Sequence, residues 1–485
     1  MVTKPTANRS VQCSEENTHM PYCHRKRASD LLDLLIKNGK VCSSESIKSA
    51  DVGIKDGKIV MLADQIDVSS KKIEDASGCL VLPGAIDVHT HIDHWGGTAN
   101  TEDTFFTGSR AAAFGGTTTF IDFAVQRKDE DVATAVKRRI GQIDTETCID
   151  YGVHAHVTDS SPETLKLIPK LIEKGISTFK MFTTYKAAGF KIEDPDMLVL
   201  MKEITDHGGL TMVHAENDSF CEELTHRLIS QKKADVLHYV ESRPAMAEIE
   251  CISRLLLFAR YTRAKLYIVH VTTAESVDLI RQAKREGVDV TAETCTHYLI
   301  LDDSCYERED GYKYVMAPPL RKKKDIEALW EGLMDGTLSI VSSDHCDYST
   351  DKKIHAKTDF TKISPGLHGI EWLGPLMYEF AVNRRKIPLT KVIEWLSENP
   401  AKVFGIADRK GKVDIGFDAD LMIFDPKKHK LLDDQNNHMS SNFCPYKGEK
   451  LTGQPVKVYS KGQLIIDSDV FLGGQGKGEL LGSRY

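Results

Sequence analysis

The feature that most constrains this chain is a set of eight short apolar runs, rich in β-branched and aromatic residues, between residues 82 and 345. They read LPGAIDVHTH, TTTFIDFA, YGVHAHV, ISTFKMF, LTMVHAE, LYIVHV, VDVTAETC and LSIVSSDH. Helix-like stretches lie between them, among them DVATAVKRRIGQI, SPETLKLIPKLIEKG, PDMLVLMKEITDHG and AESVDLIRQAKREG. Strands alternating with helices of this length predict βαβ units and a parallel sheet. Eight units over roughly 300 residues close into a (β/α)8 TIM-like barrel, with its active site at the C-terminal ends of the strands.

That rule makes a demand on the residues where the runs end, and the chain meets it. His89 and His91 end the first run, Lys180 nearly ends the fourth, His214 the fifth and His270 the sixth, and Asp344 closes the eighth, followed by His345. Within a strand, residues two apart share a face, so His89 and His91 point the same way. Alone, such a pair reads as two satisfied core histidines. Six residues of metal-ligand type at one edge of five strands instead suit Zn2+ or a similar divalent ion. Lys180 is the unusual member, because a buried ammonium is costly without a partner and has no lone pair for a metal. One reading pairs it with a carboxylate such as Asp344. The other, favoured by the company it keeps, converts its amine with CO2 into an anionic carbamate that bridges two metals. A second pair, His154 and His156, is assigned at least in part to packing. His94, His345 and Cys346 stand near enough to orient ligands, and a cysteine nucleophile, at Cys295 or Cys346, is unnecessary beside a metal site.

Outside the barrel the pattern changes to short β-like runs punctuated by Asn-Gly and Asp-Gly, a hairpin signal, and a comparable block returns near the end. The two blocks are expected to pair into one small sheet domain around the inserted barrel. Boundaries follow: a leader lacking order over 1–28, the sheet domain over 29–83 plus 405–470, the barrel over 84–404, and a glycine-rich tail over 471–485. Net charge is −8, which argues against nucleic acid or an anionic membrane as partner. No apolar stretch approaches the roughly 20 residues of a membrane helix, and the N-terminus lacks a signal-peptide core. Eleven cysteines without C-x-x-C pairs point to reduced thiols and a cytoplasmic location.

With these residues assembled, the chain resembles the hydantoinase/dihydropyrimidinase family of the metal-dependent amidohydrolases, from about residue 32 to the tail. The blocks GAIDVHTHID, FFTGSRAAAFGGTTTFIDF, STFKMFTTYK, VHAEND, LYIVHVTTAES, AETCTHYLILD, APPLR, SSDHC and DFTKI carry the resemblance. It implies two Zn2+ ions: His89, His91, Lys180 and Asp344 on one, Lys180, His214 and His270 on the other, with Lys180 carboxylated and shared. It further implies a β-sandwich beside the barrel and a homotetramer. Tyr185 matches the residue that steadies the ring carbonyl, and Thr296 stands where the family has a serine whose main chain holds the cyclic imide. Two departures are visible. The family's FTKIPNG reads FTKISPG here, so Pro365, which has no N–H to donate, replaces asparagine. The loop after HTHID is the short HWGGT, which brings Trp95 towards the pocket wall.

The implied chemistry is reversible opening of a dihydropyrimidine or hydantoin ring to an N-carbamoyl amino acid. Metals lower the pKa of bound water from ~15.7 to about 7, so a hydroxide between them would attack the ring carbonyl. Tyr185 would help stabilise the oxyanion, and Asp344 would carry the proton to the leaving nitrogen. Allantoinase and dihydroorotase share barrel and metals but carry an arginine soon after His-x-His, whereas this chain reads Ile92-Asp93-His94-Trp95. The dihydropyrimidinase-related scaffold proteins, a non-catalytic class, have lost metal ligands; all six positions are present here.

Overall fold

The computed structural model describes residues 31–127 and 129–482; the expected leader over 1–28 lies outside them. Eight parallel strands follow one another in sequence order around one sheet: β1 (Ala85–Thr90), β2 (Thr117–Ala124), β3 (Asp150–His156), β4 (Thr178–Phe182), β5 (Leu210–His214), β6 (Leu266–Ile268), β7 (Val290–Cys295) and β8 (Ile340–Ser342). Each coincides with one of the eight apolar runs. The barrel closes between its first and last strands. Thr90 bridges to His345, the His91 amide donates to the His345 carbonyl at 2.7 Å, and the Ser343 amide donates to Asp87 Oδ1 at 3.1 Å. The four helix-like stretches form helices at Val132–Glu146, Pro162–Glu173, Asp194–Asp206 and Ala274–Arg285.

Strand periodicity explains how core and site share these strands. One core cluster takes alternate residues, Ile121 and Phe123 from β2 and Leu210 and Met212 from β5, together with Phe404 and Leu481. With a period of two, His214 continues the Leu210–Met212 face one step beyond the apolar layer. The closing glycine-rich segment is held at the start of β3: the Tyr151 amide donates to Glu479, and the Leu481 amide to Tyr151. Nearby, the buried Lys410 ammonium meets Asp150 at 2.6 Å and Asp418 at 3.1 Å, with Asp420 also paired. A buried charge needs such partners, and here they tie the barrel base to the C-terminal strands.

The N- and C-terminal blocks build a β-sandwich. A four-stranded sheet has the order Lys58–Ala63, Asp51–Lys55, Leu32–Lys37, Ser70–Asp75. A second sheet of seven strands joins Leu421–Leu431 and Lys450–Ser460 to Leu80–Pro83 and Lys40–Cys42. Leu34, Ile36, Val52 and Ile54 of one sheet pack with Val41, Val81, Leu421 and Tyr459 of the other. The two turn signals behave differently. Asp56-Gly57, both with positive φ (51° and 77°), closes the hairpin between Asp51–Lys55 and Lys58–Ala63. Asn38-Gly39 does not close one: Leu32–Lys37 pairs with Asp51–Lys55, while Lys40–Cys42 crosses to the other sheet. A Cβ on Gly39 would stand 2.6 Å from Val81 Cγ2, so the glycine permits the close crossing between sheets. Among the described residues no helix is long and apolar enough to cross a membrane.

Candidate active site

His89, His91, Lys180, His214, His270 and Asp344, from five strand ends, all line one cavity of about 1070 Å3 at the barrel's C-terminal mouth. Nε2 of His89 and of His91 lie 3.2 and 3.4 Å from the same Asp344 oxygen, Oδ1. Across the group, His214 Nδ1 and His270 Nε2 face each other at 2.9 Å. His270 and Asp344 adopt left-handed φ of 38° and 45°, strained for such residues and typical of functional positions.

Burial sets the electrostatics. It lowers the pKa of His91, His214 and His270, keeping their imidazoles neutral with lone pairs available. For Asp344 burial acts to raise the pKa, but the surrounding His89, His91 and His270 outweigh it and hold the carboxyl well below the usual carboxylate range. Lys180 is 1% exposed, and burial pushes its pKa down to about 7. Its Nζ makes no hydrogen bond or ion pair among the described residues. It lies 5.0 Å from the ring centres of Phe123 and Phe182. The hydrogen-bonded pairing of Lys180 with Asp344 is therefore not formed, and an amine that burial allows to lose its proton near neutral pH lines the cavity.

Two buried carboxylates that sequence reasoning did not single out aim the histidines. Glu293 Oε1 accepts from His89 Nδ1 at 2.5 Å, and its Oε2 accepts from the Tyr267 hydroxyl at 2.7 Å. Glu216 Oε2 lies 2.7 Å from His214 Nε2 and is ion-paired with Arg243. Each fixes which ring nitrogen is turned to the cavity. A signal existed for both: a carboxylate inside an apolar run, AETC or VHAE, must find a buried partner.

The remaining site residues divide. Tyr185 lines the cavity with φ 65°, its ring 5.4 Å from that of His214 and under the Arg243 guanidinium at 5.1 Å. Burial raises its pKa, so its hydroxyl stays a hydrogen-bond donor. Pro365 lines the cavity too; Thr296 is wholly buried just after β7 and is not among the lining residues. The two departures in sequence meet in space. Ser364 Oγ donates to the Gly96 carbonyl at 2.8 Å, stands 2.7 Å from Thr98 Oγ1, and so ties the Trp95 loop to the Ser364-Pro365 loop. Trp95 lines the mouth at 59% exposure. His154 is fully satisfied, by Thr178 at 2.7 Å and the Val88 carbonyl at 3.0 Å, whereas His156 opens onto the cavity. His345 turns from the cavity to Asp103 at 3.2 Å. Burial raises the thiol pKa of Cys295 and Cys346, which disfavours the thiolate a nucleophile requires.

The model of the Amidohydrolase family matches residues 80–465, most of the chain. The chain belongs to the amidohydrolases. Within this metal-dependent family it falls among the hydantoinases. It is 38% identical over 459 residues to the D-hydantoinase of Ralstonia pickettii, covering 93% of this chain and 99% of that protein. The crystal structure of dihydropyrimidinase from Brevibacillus agri superposes with a TM-score of 0.90 at 34% identity, covering 93% of this chain and 98% of that one. The L-hydantoinase (dihydropyrimidinase) from Arthrobacter aurescens gives a TM-score of 0.87 at 30% identity, covering 93% and 99%.

Proposed function

We propose that this amidohydrolase opens a five- or six-membered cyclic ureide, a hydantoin or dihydropyrimidine, to the N-carbamoyl amino acid. The observation that carries the reading is the Lys180 amine, buried with no hydrogen bond or close ion pair among the described residues, in a cavity that also gathers four imidazoles and one strongly acidic carboxylate. That donor set fits divalent metal. Imidazole nitrogens and a carboxylate converge, His91 Nδ1 has no hydrogen-bond partner among the described residues, and the Lys180 Nζ, once deprotonated, can attack CO2, forming an N–C bond and releasing a proton. The resulting carbamate supplies the anionic oxygens a lysine otherwise lacks. His89, His91, Lys180 and Asp344 would hold one Zn2+, and Lys180, His214 and His270 the other. When bound, such ions act as Lewis acids and bring the pKa of water from 15.7 towards about 7.

The chain's own residues do the rest. The Tyr185 hydroxyl donates to the ring carbonyl oxygen as negative charge develops there. Asp344 turns Oδ1 to His89 and His91, which leaves Oδ2 to accept the proton of the attacking water and deliver it to the leaving ring nitrogen. The carbonyl of Pro365, on the cavity lining, orients the ring's N–H groups, and Thr296, buried off that lining, takes no part in holding the ring. Phe123 and Phe182 shield the amine side of the site from water. The enzyme acts in the cytoplasm as a homotetramer on a small molecule, without nucleic acid or membrane. A non-catalytic scaffold has no use for six convergent donors at an open cavity.

Lys180→Ala tests the reading. It should abolish ring opening and lower the metal content of the purified protein; an active, fully metallated variant would refute the bridge.

A further inference from the structure

The six metal-type residues come from the ends of β1, β4, β5, β6 and β8. The arc of β2 and β3 contributes none, yet the cavity extends over it, lined there by Gln126, Arg127, His156 and Thr158. His156 closes β3 in register with Lys180 on β4. It is wholly buried, and among the described residues neither Nδ1 nor Nε2 has a hydrogen-bond partner. Its ring stands edge-on to Phe182, 5.1 Å away at 80°, and to Phe190, 4.7 Å away at 90°. These contacts fix the plane of the ring and satisfy neither nitrogen.

The contrast with His154, on the same strand face, is informative, because there both nitrogens are bonded. Buried polar groups in native proteins are satisfied, and the exceptions call for a cause. Neighbouring polar groups do not supply one. Gln126 donates to the Glu130 carbonyl at 2.5 Å and accepts from Thr158 Oγ1 at 3.1 Å, so its side chain is already engaged. His156 thus keeps unmet hydrogen-bonding capacity, a nitrogen able to donate or accept according to tautomer, on the cavity lining in a sector bounded by two phenyl rings, beside the reacting centre.

We propose that His156 determines specificity by hydrogen-bonding the exocyclic substituent of the ring. It selects hydantoins and dihydropyrimidines whose side chain carries an uncharged group with both donor and acceptor, a carboxamide above all, over an apolar side chain of the same shape. The inference rests on the ring-opening function proposed above. A site built to hydrogen-bond a substrate group discriminates strongly against the analogue lacking it, because the protein's own polar group is then left unmet.

The test uses the zinc-loaded enzyme and racemic 5-(carbamoylmethyl)hydantoin and 5-isobutylhydantoin, which match in shape and differ in polarity, with unsubstituted hydantoin as reference. The wild type should favour the carbamoylmethyl ring in kcat/KM by at least about tenfold. His156→Leu should bring that ratio to one or below, and His156→Gln, which keeps a donor and an acceptor, should retain most of it. Each ratio is taken within one preparation, so a misfolded fraction cancels, and the wild-type ratio decides even if the leucine variant fails to fold. A wild-type ratio at or below one, or an unchanged ratio in His156→Leu, overturns the inference while ring opening stands. Failure of the metal-loaded wild type to open unsubstituted hydantoin overturns the ring-opening reading and this inference with it.

Discussion

Replacing Glu293 probes whether the histidines are aimed at metal by the residues behind them. Its carboxylate is fully buried, accepts from His89 Nδ1 at 2.5 Å and from the Tyr267 hydroxyl at 2.7 Å, and accepts from the His270 main-chain amide at 3.3 Å. Glu293→Gln keeps the shape and both side-chain contacts, with its oxygen towards His89 and its amide towards Tyr267, but loses the charge. Hydrogen bonds to charged groups are worth about 1.5–3 kcal/mol against about 0.5–1.5 for neutral ones. The variant should therefore lose about 1–1.5 kcal/mol in holding His89, roughly five- to tenfold in affinity for the metal His89 binds. Glu293→Leu instead strands His89 Nδ1 and the His270 main-chain N–H, each at about 1–3 kcal/mol. It should cost about 2–6 kcal/mol of stability by that count and weaken metal binding by up to about a hundredfold. Metal content titrated against a competing chelator, with thermal unfolding in parallel, reads both quantities. The glutamine variant should release one ion at lower chelator concentration with little change in Tm, and the leucine variant should also lose Tm. Metal retention equal to wild type in both variants would refute the orienting role and with it the assignment of His89 as a ligand.

Two further outcomes test other supports of the site. Arg139, buried, places Nε and Nη2 on Asp122 Oδ1 at 3.0 and 2.6 Å and donates to the carbonyls of Ile92 and Asp93, splinting the turn after His91. Arg139→Met leaves Asp122 uncompensated and should cost about 3–5 kcal/mol in urea unfolding; a change under about 1 kcal/mol would mean that the pair bears no load. Lys353, also buried, donates to the carbonyls of Val315 at 2.8 Å and of Gly366, behind the cavity wall, and burial pushes its pKa down to about 7 from 10.5. Between those values the unfolded chain binds a proton that the folded protein does not, so this group's penalty is fully present below pH 7 and fades as pH rises towards 10.5. Wild-type unfolding free energy should thus gain more between pH 7 and 10 than that of Lys353→Met, and parallel pH profiles would contradict the assignment.

What the sequence disclosed follows from range. The eight strands and the metal-type residues at their ends were legible because both are local: a β-branched run announces a strand, and an imidazole or carboxylate ending it stands out against apolar neighbours. Asp56-Gly57 was legible for the same reason, since a two-residue turn is specified by the residues that make it. Asn38-Gly39 carries the same signal yet serves a crossing between sheets, because its outcome depends on Val81, far along the chain. Glu293 acts on His89 across 204 residues, and no local pattern pairs them. His154 and His156 look alike in sequence; Thr178 and Val88, each from another strand, satisfy one and leave the other facing the cavity. The Trp95 and Pro365 departures are separate in sequence, and only the fold joins them through Ser364.

Ring opening by the metal-loaded protein tests the central claim most directly. Purified enzyme is assayed with dihydrouracil, hydantoin and 5-phenylhydantoin, following the N-carbamoyl products, before and after chelation and again after adding Zn2+. The account predicts turnover of at least one ring that vanishes on chelation and returns with Zn2+. No turnover from protein shown to hold two metals per chain, or turnover that survives complete removal of metal, would contradict it.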